Sequence, residues 1–383
     1  EQNISTLRTL TGSNNAYTIT VTDTLSVSDA NTLDARTTGV ITASISEHDV
    51  ATLKTLTGSN NAYSITIADT SVNASDLNTI DSKTSVAINA SATNLLSGSA
   101  SVIKTAISAT GINLPLNNNS GIYNVLVTDA ISVADANTID GATTGVITAT
   151  LNEHSTSALL NLSSSYGSNN AYSITIADTS VNASDLNTID SKTSVAINAS
   201  ATNLLSGSAS VIKTAISATG INLPLNNNSG IYNVLVTDAI SVADANTIDG
   251  ATTGVITATL NEHSTSALLN LSSSYGSNNA YSITIADTSV NASDLNTIDS
   301  KTSVAVNATA MTLLSGSEAD VVLAVTSTQI NKNSAYQVLV SNSLSVANAN
   351  TIDSATTGVI TASISEQNIS TLKTLTGSNN AYT

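Results

Sequence analysis

Residues 61–84 read NAYSITIADTSVNASDLNTIDSKT, and the stretch 61–69 recurs unchanged from Asn170 and again from Asn279. Each shift is 109 residues, and the third copy diverges only after Ala305. A fixed period of this kind makes the repeat the unit of the fold. Each block holds two related halves, one containing SDLNTID and the other ADANTID, so the underlying unit is roughly 47 to 59 residues. Seven units carry the asparagine of an N-T-[IL]-D signature: Asn31, Asn78, Asn137, Asn187, Asn246, Asn296 and Asn350. These asparagines are candidates for an internal ladder, each side chain bonding to the backbone of the next turn.

Every unit divides into two strand-like runs. In the first they are residues 17–22 (YTITVT) and 40–46 (VITASIS). Alternation of period two puts Tyr17, Ile19 and Val21 on one face and Thr18, Thr20 and Thr22 on the other. Ile19 to Ile41 is 22 residues, Ile41 to Ile65 is 24 and Ile65 to Ile88 is 23. A strand returning at that interval suits a repeat solenoid, a β-helix-like parallel β-solenoid with about 22–24 residues per basic coil. Counting strand starts gives about fourteen coils.

The connections agree with this. Ser26 and Asp29 are N-cap candidates before a short helical turn with Ala30 and Leu33. A second turn places Val50, Leu53 and Leu56 on one face and stops at Gly58. Ile88 to Val125 spans 37 residues and Ile147 to Ile174 spans 27, which reads as longer inserted connections. The longest contains a helix at 100–109, expected to bulge from one side of its coil. The alternative fold is a string of tandem β-sandwich domains, which the 109-residue period permits. Against it, the strands are followed by helix-capping signals and no Asn-Gly or Asp-Gly joins paired strands.

One continuous solenoid is therefore expected over 1–383, without caps, in blocks of about 1–59, 60–168, 169–277 and 278–383. Residues 1–18 and 366–383 differ only at Arg8 against Lys373. This predicts either a window on a longer array or end-to-end association of the chain with itself.

Composition narrows the function. The chain carries a net charge of −17, ten Lys plus Arg, and no Cys, Trp or Phe. An aromatic share of 3% leaves a core of small aliphatics, and 41% hydrophobic residues exclude a disordered acidic polymer. Phosphate recognition needs clustered cations, so no nucleic-acid partner is expected. No run is long and apolar enough for membrane insertion, no signal-peptide pattern opens the chain, and without Cys neither disulfides nor thiolate metal sites are available.

Candidate chemistry is thin. His48, His154 and His263 each follow a Glu, a pairing seen in acid–base sites. The internal copies carry Gln2 and Gln367 instead, which argues against a catalytic role. Carboxylates recur at strand ends as Asp23, Asp69, Asp129, Asp178, Asp238 and Asp287, and beyond them as Asp29 and Asp34. Stacked like charges invite Ca²⁺, while helix capping satisfies the same residues without a metal. No cofactor is otherwise implied, and no catalytic constellation stands out. Eight of ten tyrosines occupy one strand-start position as core, and Tyr166 and Tyr275 lie in an S-S-S-Y-G-S insertion. Outward Thr18, Thr20 and Thr22 resemble the rows of ice-binding solenoids, but Ala68 and Leu126 interrupt the pattern. Sequons at Asn3 and Asn73 are compatible with glycosylation.

The segments SVADANTIDGATTGVITATL and SITIADTSVNASDLNTIDSKTSVAINASA resemble the tandem repeats of giant secreted adhesin-like or haemolysin-type surface proteins of cyanobacteria and related bacteria. The resemblance covers nearly the whole chain. It implies secretion and a structural, non-enzymatic place at the cell surface or in a matrix.

Overall fold

Strand Ile41–Ile45 buries Ile41, Ala43 and Ile45 and leaves Thr42 and Ser44 in water, the alternation that a half-buried strand requires. Its computed structural model, which describes residues 3–117, 120–163, 169–226, 229–272 and 279–383, pairs it in parallel with Ile19–Leu25. Ile19 stands opposite Ile41 and Leu25 opposite Ile45, with a bulge between Thr20 and Thr24. Parallel neighbours cannot be joined by a tight turn, so the connection must cross over. The crossover is the helix Val27–Asp34, whose Val27, Ala30 and Leu33 form one buried face.

Two compact units are present, Glu1–Ala177 with Thr188–Asn198, and Asp178–Asn187 with Ala199–Thr383. In the first, helices begin at Ile4, Val27, Val50, Ala74, Ala100, Val133 and Thr156, so successive turns take 23 to 33 residues. That is a wider range than the strand spacing predicts. A parallel three-stranded sheet joins Ile19–Leu25, Ile41–Ile45 and Ala62–Ser64. A parallel five-stranded sheet runs through Ser71–Asn73, Leu95–Gly98, Asn124–Ile131, Ile147–Leu151 and Ala171–Ser173. Short parallel bridges repeat on another edge, at Asn15 with Thr37, Asn61 with Thr84 and Gly121 with Thr143.

One expectation changes. The long connection from Ile88 to Val125 is no bulging insertion. Ile88 pairs with Ile112, Leu96 pairs with Val125, and the helix Ala100–Ser108 between them packs on the helices before and after it. Its Ala100, Ile103 and Ala106 are buried, and an apolar helical face needs cover on both sides. The strand register is set by side chains. Ala43 faces Tyr63, which sets Ile41 opposite Asn61 rather than Ile65; Ala149 likewise faces Tyr172, so Ile147 does not face Ile174. The cause is local, because the Ile41 N–H donates to Asn61 Oδ1 at 3.0 Å and that of Ile147 to Asn170 Oδ1 at 2.9 Å.

The second unit repeats this pattern. One parallel sheet orders Ser180–Asn182, Leu204–Gly207, Asn233–Ile240, Ile256–Leu260 and Ala280–Ser282. Another orders Ser289–Asn291, Leu313–Gly316, Gln337–Leu344, Ile360–Ile364 and Ala381–Tyr382. Among the described residues antiparallel pairing is confined to two short loops, Leu116–Asn117 with Ser120–Gly121 and Leu225–Asn226 with Ser229–Gly230. Sandwiches are built from antiparallel sheets, so the tandem-sandwich alternative fails here.

The interior is aliphatic, with Leu25, Leu33, Ile41 and Leu53 fully buried. Each such side chain contributes about 2 kcal/mol. Six tyrosines, Tyr63, Tyr123, Tyr172, Tyr232, Tyr281 and Tyr336, are the largest enclosed side chains. Tyr17, in the first unit's opening strand position, is instead 47% exposed. Among the described residues no helix is long and apolar enough to cross a membrane.

Candidate functional site: polar contacts between successive turns

Helix starts come first, because each leaves backbone N–H groups without an intrahelical partner. One of these is satisfied locally. Ser26 Oγ accepts the Asp29 N–H, Asp49 Oδ1 accepts that of Thr52, and Asn73 Oδ1 accepts both the N–H and the hydroxyl of Ser75. The sequons at Asn3 and Asn73 are thereby helix caps, with the Ser at the third place donating to the asparagine.

Another N–H is satisfied by the turn that follows. In the first unit Val27 donates to Glu47 at 3.0 Å, Val50 to Asp69 at 2.6 Å, Ala100 to Asp129 at 2.8 Å and Val133 to Glu153 at 3.0 Å. In the second, Ala209 donates to Asp238, Val242 to Glu262, Thr265 to Asp287, Glu318 to Asn342 and Val346 to Glu366, all between 2.7 and 3.0 Å. The strand-end carboxylates Asp69, Asp129, Asp238 and Asp287 thus cap the helix of the turn behind them, not the helix they precede. An anion at a helix N-terminus also meets the positive end of the helix dipole. Among the described residues no group of three or more His, Asp or Glu side chains is placed to hold a metal ion.

The glutamates of the Glu-His pairs are therefore caps. The histidines are exposed, and Nδ1 of His48, His154 and His263 lies 3.0–3.1 Å from the carbonyls of Thr66, Thr175 and Thr284. A carbonyl only accepts, so each ring nitrogen carries the proton. The signal for the caps is in the internal copies, where His gives way to Gln2 and Gln367 while Glu stays at Glu1 and Glu366.

All seven signature asparagines reach forward by 24 residues. Nδ2 donates from Asn31 to Thr55 O, Asn78 to Val102 O, Asn137 to Asn161 O and Asn187 to Val211 O, at 2.8–3.0 Å. Asn246, Asn296 and Asn350 donate to the carbonyls of Asn270, Asp320 and Thr374 at 2.8–2.9 Å. Four also accept a backbone N–H: Asn31 from Thr57, Asn137 from Ser163, Asn246 from Ser272 and Asn350 from Thr376. Oδ1 of Asn78 and Asn187 is buried without a partner among the described residues. The next helix explains the difference. After Asn78 and Asn187 it runs nine residues, so the N–H two residues beyond the bonded carbonyl is spent inside the helix. After the other four it runs only four residues, and that N–H is free to turn back.

The aspartate closing the same signature forms a further node. Asn61 Nδ2 donates to Asp34 Oδ1, Asn170 to Asp140, Asn279 to Asp249 and Asn380 to Asp353, each at 2.9 Å. These partners are invisible to period arithmetic, although both recur in every copy of N-T-[IL]-D and N-N-A-Y that makes the pair. Asp81 and Asp190 lack such an asparagine, and burial pushes their carboxyls above the ordinary value. Burial likewise raises the hydroxyls of Tyr123, Tyr232 and Tyr336 to about 12. Tyr166 and Tyr275 lie outside the described residues.

The Thr-Thr-Gly motif holds the tyrosine backbone. Thr37 Oγ1 donates to Tyr17 O at 2.7 Å and accepts the Gly39 N–H at 3.0 Å. At Gly145 a Cβ would stand 2.2 Å from the Tyr123 carbonyl oxygen, so only glycine lets the turns approach. On the outward face Thr20 stands opposite Thr42, and Thr24 opposite Ser44 and then Ser64. The row is broken in the next sheet, where an exposed Leu126 precedes Thr148 and Ala171.

No family model, curated protein or solved structure matches this chain.

Proposed function

We propose that this is a structural, non-enzymatic protein of the cell exterior, a strand–helix solenoid that forms a long fibre, sheath or surface layer by stacking of repeats. The observation that carries the proposal is the forward-reaching polar contact. Each turn leaves helix N–H groups that the next turn satisfies and a carbonyl that the asparagine of the turn before it satisfies, so a turn is complete only beside others of its kind. Such a unit extends without a defined limit, and its length follows repeat number. A catalytic site needs a singular constellation of groups, whereas the polar residues here recur with the period and are occupied by capping. The likeness to tandem repeats of secreted surface proteins supports the extracellular setting, and the partner is another copy of the chain.

A second use has one observation in its favour. The outward hydroxyl pairs Thr20–Thr42 and Thr24–Ser44 suit an adhesin stalk or an ice-binding face. Electron microscopy of the purified full chain distinguishes the readings. Ordered filaments are expected; monodisperse particles with thermal hysteresis establish ice binding instead, and globules on tethers overturn the solenoid.

A further inference from the structure

Two of the aspartate nodes are closed to solvent. Asp140, Asn170 and Tyr172 in the first unit, and Asp249, Asn279 and Tyr281 in the second, are each exposed by 2% or less. Asn170 Nδ2 donates to Asp140 Oδ1 at 2.9 Å and to the Tyr172 hydroxyl at 3.2 Å; Asn279 does the same at 2.9 and 3.3 Å. Oδ2 of Asp140 and of Asp249 has no hydrogen-bond partner among the described residues. A carboxylate oxygen only accepts, and a tyrosine hydroxyl that has accepted a proton still has its own to donate. Each node therefore contains an acceptor without a donor beside a donor without an acceptor. The tyrosine hydroxyl and the aspartate Oδ1 both bond the same amide nitrogen, and Oδ2 is the other oxygen of that carboxylate, so the unmet acceptor and the unmet donor belong to one enclosed cluster that a water can link.

At the other two nodes the carboxylate is complete, although the hydroxyls of Tyr63 and Tyr382 are buried without a partner among the described residues. There the second aspartate oxygen accepts a threonine hydroxyl, Asp34 from Thr57 and Asp353 from Thr376, each at 2.9 Å. In the longer return before Asn170 the place of Thr57 falls to Ser163, whose N–H binds Asn137 as that of Thr57 binds Asn31. The hydroxyl on the aspartate is missing at these nodes, and burial prevents bulk solvent from replacing it. Leaving a buried acceptor unmet costs about 1–3 kcal/mol, which an enclosed water with two or more polar partners avoids.

We propose that each closed node holds one ordered water molecule as a fixed part of the fold. The water donates to Asp140 Oδ2 or Asp249 Oδ2 and accepts the proton of the Tyr172 or Tyr281 hydroxyl. A divalent cation fits less well, since Ca²⁺ takes roughly six to eight oxygens at about 2.3–2.6 Å and the node offers one carboxylate oxygen and one hydroxyl. The inference is independent of the assembly proposed above.

A crystal structure of the full chain, at a resolution that shows ordered solvent, tests it. One density peak is expected at each node, about 2.7–2.8 Å from both oxygens. An empty node, a direct Tyr–Asp hydrogen bond, or a peak at metal distances overturns the proposal. The double variant Tyr172→Phe/Tyr281→Phe supplies a second readout. Its peaks should vanish or move, while Tyr336→Phe should leave them in place, because that hydroxyl donates to Ala355 O. Unchanged peaks in the double variant remove the tyrosine from the site.

Discussion

Asn137 makes two bonds to the following turn, giving Nδ2 to Asn161 O and taking the Ser163 N–H, where Asn78 makes only the first. A lost hydrogen bond that strands a buried partner costs about 1–3 kcal/mol, so Asn137→Ala should destabilise more than Asn78→Ala. Hydrogen exchange should show the loss locally, with faster exchange at Ser163 in the first variant and no comparable site in the second. Asp81 tests the opposite sign. Its carboxyl is raised by burial, so as pH climbs past the ordinary value of about 4 the unfolded chain ionises first and stability falls. Asp81→Asn should therefore raise the melting temperature at pH 7. The gain should fade below about pH 4, where both states are protonated; an unchanged melting temperature at neutral pH refutes this account of the residue.

A helix in this protein is finished by residues outside it. Ala100 at the start of Ala100–Ser108 donates to Asp129, 29 residues downstream. Asp129→Ala should cost about 1 kcal/mol, the worth of a helix cap. Accelerated exchange should appear in Ala100–Ser108, while Val133–Asp140, the helix that follows Asp129, stays protected; the reverse pattern would show that the aspartate serves its own turn. Acid should act on the same elements. The hydrogen bond from Lys104 holds the Asp135 carboxyl below the ordinary range, Lys213 does this for Asp244, and the Ser345 N–H with the Asn348 amide does it for Glu318. A lowered value stabilises the fold above about pH 4, and that share is lost as pH falls through the folded value. Thermal melts should show a shallower acid loss in Lys104→Met/Lys213→Met than in the parent.

How far such elements are legible in the sequence depends on the range of the interaction. Period-two runs and the Ser26 cap lie within a few residues, so strands, parallel order and short helices can be read directly. The helix at 100–109 is legible as a helix, but its packing between neighbours is not, because nothing local says whether an apolar face is covered. Register is hidden for a similar reason. Matching isoleucine to isoleucine is the natural choice, yet the Asn61 side chain bonded to the Ile41 N–H sets that pair. The carboxylate caps reach back by 19 to 29 residues, and a variable span leaves no fixed spacing to detect.

At the scale of the whole molecule, the forward contacts predict that the chain tolerates removal of a complete block. Excising residues 61–169 joins Asn60 to Asn170, and the new junction reads Gly-Ser-Asn-Asn-Ala-Tyr as both parents do. The Asp34 carboxylate would then meet Asn170 where it now meets Asn61, and the Asn31 amide keeps Thr55 and Thr57. Repeat arrays owe their stability to individual units and nearest-neighbour interfaces, so every remaining interface is one the parent already contains. The shortened chain should show an unchanged mean residue ellipticity and a melting temperature within a few degrees of the parent, since the cost is fewer identical interfaces rather than a broken one. Excising residues 61–145, which is not a whole period, should fail by the same measurement. It joins Asn60 to Val146, deleting Ala62–Ser64, one of the two strands that Ile41–Ile45 pairs with, and leaving the Ile41 N–H without an asparagine to receive it.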